Sequence, residues 1–319
     1  MHEQVKTNGF GSSAERTRMD RHAIADRRTI ARFDTPRTDR STRIAVVSDV
    51  HLTLDSPETS SSSGREAVLR RTVRDIRRLA PDGVVFLGDL TDGSAAAATA
   101  FDRAAGRLEG SVVGVPGNHD PSPISPRLEP YAEAGPSPVV ERIGGVTVVG
   151  IDSRGGVTDR QLRRLDRALA SASSPSIVAL HHALPGPVAN LRGAADGAPA
   201  ETRITDPVTN HGGLLAICRR RNVAVALCGH VHTLDAVRSG GIRQVVAPPL
   251  CTPPGGYLLL DVTPSGTAVT FVPVDGLPTL ETPPNADPVE RWLCRLSASR
   301  LRDAPIVTES TARVKGSRP

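Results

Sequence analysis

From Arg43 onward the chain breaks into short apolar runs separated by polar turns. Ile44–Ser48, Val84–Leu87, Val112–Val115, Val146–Ile151, Ile177–Leu180, Val223–Leu227, Ile242–Ala247, Tyr257–Val262 and Ala268–Val272 are bounded by Gly, Pro, Asp or Ser, and most are rich in β-branched residues, as strands are. The early runs are almost continuously apolar, which suits strands buried on both faces. Between them lie stretches with helical spacing. Arg65–Ala80 sets Leu69, Val73, Ile76 and Ala80 on one face and arginines on the other. Thr158–Ala170 opens with Thr158-x-x-Gln161, a capping-box spacing, and carries the stripe Leu162, Leu165 and Leu169. Leu214–Arg220 and Arg291–Leu301 give two further helices. Strands alternating with helices predict an α/β architecture. The late strands within 223–272 have few helical interruptions and are expected to finish a second sheet. Pro121–Pro138 and Ala183–Gly213, rich in Pro, Gly and Ala, read as loops.

Length and charge sharpen this picture. The chain has 319 residues, enough to bury a core without disulfides or a structural metal. No run of 18 apolar residues occurs, so no membrane-spanning helix is expected. The net charge is +5, but residues 1–43 carry ten Lys/Arg against six Asp/Glu, and 303–319 carry three against two. The body between them is neutral. With aromatics at 3%, this disfavours nucleic acid as a partner. Residues 1–41 are polar and weakly periodic and are expected to be a disordered basic arm, followed by one domain over 42–275 and by a C-terminal helix and flexible tail over 276–319. Cys218, Cys228, Cys251 and Cys294 form no CxxC pair, and the N-terminus has no apolar core of a signal peptide. Both features predict a cytoplasmic protein.

The candidate chemistry gathers at the C-terminal ends of the runs. The first ends in Ser48-Asp49-Val50-His51, the second in Gly88-Asp89-Leu90-Thr91-Asp92 and the third in Gly117-Asn118-His119-Asp120. Two later ones end in His181-His182 and Gly229-His230-Val231-His232. Six of the nine histidines sit in these segments. Each alone reads as an ordinary turn; five in order, at the strand ends where α/β sheets bind ligands, do not. Alternate residues of an extended segment share a face, so Asp49 and His51 can chelate one ion, and His230 and His232 can reach the same cluster. Imidazole, carboxylate and amide donors together suit Mn, Fe, Zn or Co. Asp89 has two oxygens and can bridge two ions, which about 3.5–4 Å apart clamp a phosphate ester. His211 reads as a surface or helix-capping residue.

The set Asp49-x-His51, Gly88-Asp89-x-x-Asp92, Gly117-Asn118-His119-Asp120, His181 and Gly229-His230-x-His232 resembles the calcineurin-like metallophosphoesterase superfamily over residues 43–273. Within it, Leu227-Cys-Gly-His-Val-His232 with the following Ala247-Pro-Pro is similar to class III cyclic-nucleotide phosphodiesterases. The resemblance implies a four-layer αββα sandwich of two mixed sheets flanked by helices. It implies one divalent ion held by Asp49, His51, Asp89 and His232, and a second by Asp89, Asn118, His181 and His230. It makes His119 the general acid at the leaving oxygen, with Asp120 or Asp92 orienting its imidazole; for Asp92, plain turn capping is the equal alternative. The family usually places a proline soon after the fourth-motif histidine, whereas this chain reads His181-His182-Ala183-Leu184-Pro185. His181 is taken as the ligand, with His182 as the alternative.

The function so implied is a dinuclear metal-dependent phosphodiesterase, in which a hydroxide from a metal-activated water attacks a cyclic nucleotide or similar small phosphodiester. A phosphomonoesterase or nuclease of the same superfamily is the alternative enzyme. A non-catalytic protein-binding scaffold is the alternative of another class. The Ala183–Gly213 loop follows a ligand position and is expected either to shape substrate access, to mediate a homodimer, or to be a plain surface insertion.

Overall fold

The apolar runs become strands in the computed structural model, which describes residues 27–53, 60–121, 138–187, 207–274 and 286–309. The strands are β1 (Arg28–Phe33), β2 (Thr42–Val47), β3 (Gly83–Phe86), β4 (Ser111–Gly114), β5 (Val139–Ile143), β6 (Val146–Gly150) and β7 (Ser176–Ala179). They continue with β8 (Val225–Cys228), β9 (Asp235–Ser239), β10 (Ile242–Val246), β11 (Gly256–Thr263), β12 (Gly266–Pro273) and β13 (Val307–Thr308). Five helices are described: α1 (Ser60–Leu79), α2 (Ala95–Ala105), α3 (Asp159–Ala170), α4 (His211–Arg220) and α5 (Pro288–Arg302).

Two mixed sheets result, in the orders β13-β1-β12-β11-β2-β3-β4 and β5-β6-β7-β8-β10-β9. Strands β2, β3 and β4 run parallel in the first, and β6, β7, β8 and β10 in the second. Strand alternation sorts the side chains into layers. Ile44 and Val46 of β2 meet Ile177 and Ala179 of β7 in a core between the sheets. Ala45 and Val47 face outward onto Leu69, Val73 and Ile76 of α1 and Phe101 of α2. Val178 faces the opposite way, onto Leu165 of α3, Leu214 of α4 and Trp292 of α5. This is the expected αββα sandwich, and the doubly buried central strands explain the unbroken apolar runs.

Helix ends follow the sequence signals. The Thr158 capping box forms, with Gln161 N donating to Thr158 Oγ1 at 3.3 Å and Thr158 N to Gln161 Oε1 at 2.8 Å. Asp287 and Glu290 make a second box at α5, ahead of which no cap was expected. No helix among the described residues is long and apolar enough to cross a membrane.

Three expectations need correction. The basic arm does not extend to residue 41: Arg28–Phe33 pairs antiparallel with β12, burying Ile30, Ala31 and Phe33. Arginines at 28 and 32 dilute that apolar signal. The C-terminal tail is not free at its start, because β13 adds in parallel to β1, and Glu309 accepts from Arg243 Nε at 2.9 Å. The late strands do not all complete the second sheet: β8, β9 and β10 do, while β11 and β12 return to the first. Residues 1–26, 275–285 and 310–319, and most of the two loop stretches, lie outside the described residues.

Candidate metal centre

Every candidate donor sits just past the C-terminal end of a strand. Asp49 and His51 follow β2, Asp89 follows β3, Asn118 follows β4, His181 follows β7, and His230 and His232 follow β8. Parallel strand order puts these ends on one edge of the sandwich. The segments after β2 and β3 stay zipped beyond the strands themselves. Asp49 N donates to Gly88 O at 3.0 Å, His51 N to Asp89 O at 2.8 Å and Leu52 N to Leu90 O at 3.1 Å.

The backbone is strained where the donors stand. Asp49, His51, Asp89, His230 and His232 have φ of 50°, 46°, 50°, 69° and 49°. They are five of the eight non-glycine residues with positive φ among those described. A left-handed residue costs about 1–2 kcal/mol, so strain held at one edge marks a functional site. Two glycines are required beside it. A Cβ on Gly117 would overlap Asp89 N and Oδ1, and one on Gly229 would overlap Ser48 Oγ.

The side chains converge as two donor groups sharing one carboxylate. Asp49, His51, Asp89 and His232 form the first, Asp89, His181 and His230 the second; within each, all ligand atoms lie within 4.8 Å of one another. In the first, His51 Nε2 is 3.0 Å from His232 Nε2, which is 3.4 Å from Asp49 Oδ1. In the second, His181 Nε2 is 3.2 Å from His230 Nδ1 and 3.1 Å from Asn118 Oδ1. Asp89 Oδ2 lies 3.3 Å from His181 Nε2 and 3.7 Å from His51 Nε2. His181 Nδ1 donates to Leu87 O at 2.7 Å, which fixes the tautomer and turns the Nε2 lone pair toward the cluster.

Protonation follows from burial and charge. Burial opposes ionisation of Asp49 and Asp89, but the facing imidazoles of His232 and His181 respectively outweigh it, and both carboxyls are held below the usual range. Burial pushes His51 down to about 4 and His230 to about 3, so both are neutral donors at neutral pH. Burial works the same way on His181 and His232, yet the facing carboxylates Asp89 and Asp49 win and raise them. The cluster therefore attracts positive charge at both carboxylates. Paired imidazole nitrogens about 3 Å apart, ionised carboxylates and the buried Oδ1 of Asp49, which has no hydrogen-bond partner, fit divalent cations of the Mn, Fe, Zn or Co kind.

His119 and Asn118 are exposed at the rim. His119 N donates to Asp89 Oδ1 at 2.8 Å, and its ring stands edge-on to His51, 5.0 Å between centroids. The two histidines of this turn stand differently. His181 is fully buried within the donor group, whereas His182 has its Nδ1 2.9 Å from Ser153 Oγ and its ring 4.5 Å from that of His230, centroid to centroid. Asp120 does not orient His119. Its Oδ1 accepts from Leu90 N at 2.8 Å and Thr91 N at 2.9 Å, and its Oδ2 from Gly117 N at 2.9 Å. It staples the turn after β3 to the turn after β4, because three aimed amides outcompete an exposed ring for a buried carboxylate. Asp92 takes the turn-capping role, accepting from Ser94 N at 3.0 Å. His211 opens α4 and donates from Nδ1 to Val208 O at 2.9 Å. Sequence reading missed Ser153 and also Arg65, whose Nη1 donates to His51 O at 2.7 Å. A lone serine and one arginine among many carry no sequence signal.

A two-sheet sandwich that gathers carboxylates and imidazoles at its strand ends has the donor set of a metal-dependent hydrolase. Residues 42–234 match the family model described as calcineurin-like phosphoesterase, and the chain belongs to that family. Among solved structures it is similar to a dimetal phosphatase from Danio rerio, at 16% identity and a TM-score of 0.52, covering 73% of this chain and 99% of that one. It is also similar to GAP50, the anchor in the inner membrane complex of Plasmodium, at 10% identity and a TM-score of 0.52, covering 85% and 98%. At these identities the likeness concerns the fold. No curated protein matches the chain.

Proposed function

We propose that the chain is a dinuclear metal-dependent phosphodiesterase acting on small phosphodiesters, with 3′,5′-cyclic nucleotides as the leading class. The observation that carries the reading is Asp89, whose Oδ2 lies within 3.7 Å of a nitrogen in each donor group. One ion would be held by Asp49, His51, Asp89 and His232, and the other by Asp89, Asn118, His181 and His230. When bound, the pair supplies Lewis-acid stabilisation of phosphoryl charge and a water acidified to near neutral pH. Exposed His119 then faces the ester and protonates the leaving oxygen. Leu87 O and Asp120 act at one remove, the first by fixing the tautomer of His181, the second by holding the turns that carry Asp89 and Asn118.

A diester is favoured over a monoester by the likeness of Leu227-Cys-Gly-His-Val-His232 and the following Ala247-Pro-Pro to class III cyclic-nucleotide phosphodiesterases. The name of the Danio rerio relative, a dimetal phosphatase, supports the two-ion count and keeps the monoesterase as the second reading. The GAP50 likeness keeps a scaffold in view, but the full donor set argues for catalysis. Four free cysteines support placement in a reducing, cytoplasmic setting.

The test is turnover of bis(p-nitrophenyl) phosphate, cyclic AMP and p-nitrophenyl phosphate by purified protein with Mn²⁺. Both diesters are expected to be cleaved, and faster than the monoester. No turnover of any substrate sinks the enzyme reading; a faster monoester sinks the diester reading.

A further inference from the structure

The strands that deliver the candidate donors have a second end. Ser41 immediately precedes β2, Asp82 precedes β3, and Ser174 and Pro175 precede β7. Asp49, Asp89 and His181 lie beyond the other ends of the same three strands. Between the N-terminal ends, at the seam of the two sheets, lies a cleft of about 460 Å³ lined by Arg37, Arg40, Arg142, Ser41, Ser173 and Ser174. That volume is in the range of small-molecule sites. A six-residue strand separates it from the candidate metal centre by about 20 Å.

The cleft is built from three chain segments that are individually pinned. Buried Thr38 donates from its amide to Thr263 O at 3.3 Å and from Oγ1 to Val262 O at 3.1 Å, fixing the loop that carries Arg37 and Arg40. Gly145 N donates to Thr42 Oγ1 at 2.8 Å, holding the β5–β6 turn beside Arg142. Ser174 Oγ lies 2.7 Å from Thr147 Oγ1.

Its charge is unbalanced. Arg37 Nε donates only to Asp34 O at 2.7 Å, and Arg142 Nε to Gly144 O at 3.4 Å. Among the described residues no carboxylate pairs with Arg37, Arg40 or Arg142. Two acids also line the cleft, Asp39 and Asp82, and Asp82 Oδ2 is already taken by Arg43 N at 2.7 Å. Backbone partners leave these charges in place, so three guanidinium groups and two carboxylates give the cleft a net charge of +1, with serine hydroxyls beside them.

We propose that this cleft is a second binding site, for a small phosphomonoester such as a nucleoside monophosphate. Guanidinium forks match the oxygens of a phosphate dianion, and the serines add neutral donors. The site is independent of the metal centre: it lies at the opposite pole, is made of different residues, and needs no metal. Because it bridges the seam, a ligand there ties the β1–β2 loop of one sheet to the β5–β6 turn of the other.

Calorimetric titration of AMP into chelator-treated protein tests it. Wild type is expected to bind AMP but not adenosine, and to bind more weakly as salt rises, since the arginines are exposed to screening. The double variant Arg40→Ser, Arg142→Ser is expected to bind at least about tenfold more weakly, each lost charged contact accounting for about that factor. Asn118→Ala is expected to bind AMP as wild type does. Absence of AMP binding by wild type, or equal binding by the double variant, overturns the proposal. Mn²⁺-dependent diesterase activity of the double variant is a separate readout: failure of the metal-centre reading abolishes it in wild type and leaves AMP binding untouched.

Discussion

His181 Nε2 stands 3.3 Å from Asp89 Oδ2, although His181 follows a strand of the six-stranded sheet and Asp89 a strand of the seven-stranded one. The candidate centre is thus where the two sheets are joined by chemistry rather than by packing alone. Whatever shifts one sheet against the other shifts the donors, and whatever fixes the turns fixes the site.

The turn after β4 approaches Asp89 so closely that Gly117 admits no side chain. Gly117→Ala is expected to lose metal affinity and at least about tenfold in kcat, because an ångström of displacement at a reacting centre costs more than that. Gly64→Ala is the control. Nothing lies within 4 Å of a Cβ there, and alanine in a helix gains up to about 1 kcal/mol over glycine. Metal titration and thermal melting of both variants check this pair of outcomes.

The proposed function has exposed His119 act on substrate without holding an ion. His119→Ala is expected to keep its metal content and to lose about 10²- to 10⁴-fold in kcat. Element analysis of the variant alongside its kinetics decides the matter. Loss of metal together with activity would make His119 a ligand instead.

Asp120 is a staple. Asp120→Ala leaves the amides of Leu90, Thr91 and Gly117 without their acceptor, at about 1–3 kcal/mol for each buried group left unmade. The expected result is a marked fall in urea midpoint. If Asp120 acted only through the imidazole of His119, activity would fall while the midpoint stayed.

Much of this was legible in the sequence, and the exceptions have causes. The central strands are buried on both faces and so announced themselves as apolar runs. Strands β5, β9 and β13 did not: exposed Arg142 and Arg238, half-buried Glu141 and buried Asp235, which pairs with Arg300 at 3.2 Å, interrupt the first two, and β13 has only two residues. Helix α2 buries Ala97, Ala100 and Ala104 around one Phe101, a face with too little contrast to show a period. At the site, the candidate donors that the fold brings together could be picked out because they follow strands at fixed spacing. The partners of Asp120 and His182 could not, because Gly117 N, Leu90 N and Ser153 Oγ become acceptable partners only once the turns have met in space.

Away from the site, Asp166 gives a pH signature. Hydrogen bonds from Arg221 and, after slight opposing burial, from Arg220 lower its carboxyl to about 2 from an ordinary value of 3.8. A depressed carboxyl stabilises the fold above its unfolded value and loses that contribution as pH falls through its folded one. Wild type is expected to lose stability between about pH 4 and pH 2 more steeply than Asp166→Asn. Urea midpoints across that window measure it, and parallel curves would show that the pair contributes nothing, as exposed pairs often do.

The most direct measurement of the central claim is anomalous diffraction from crystals of the chain grown with Mn²⁺. The account expects two peaks flanking Asp89, one bounded by Asp49, His51 and His232 and the other by Asn118, His181 and His230. A single peak, or manganese bound anywhere but beside Asp89, contradicts it.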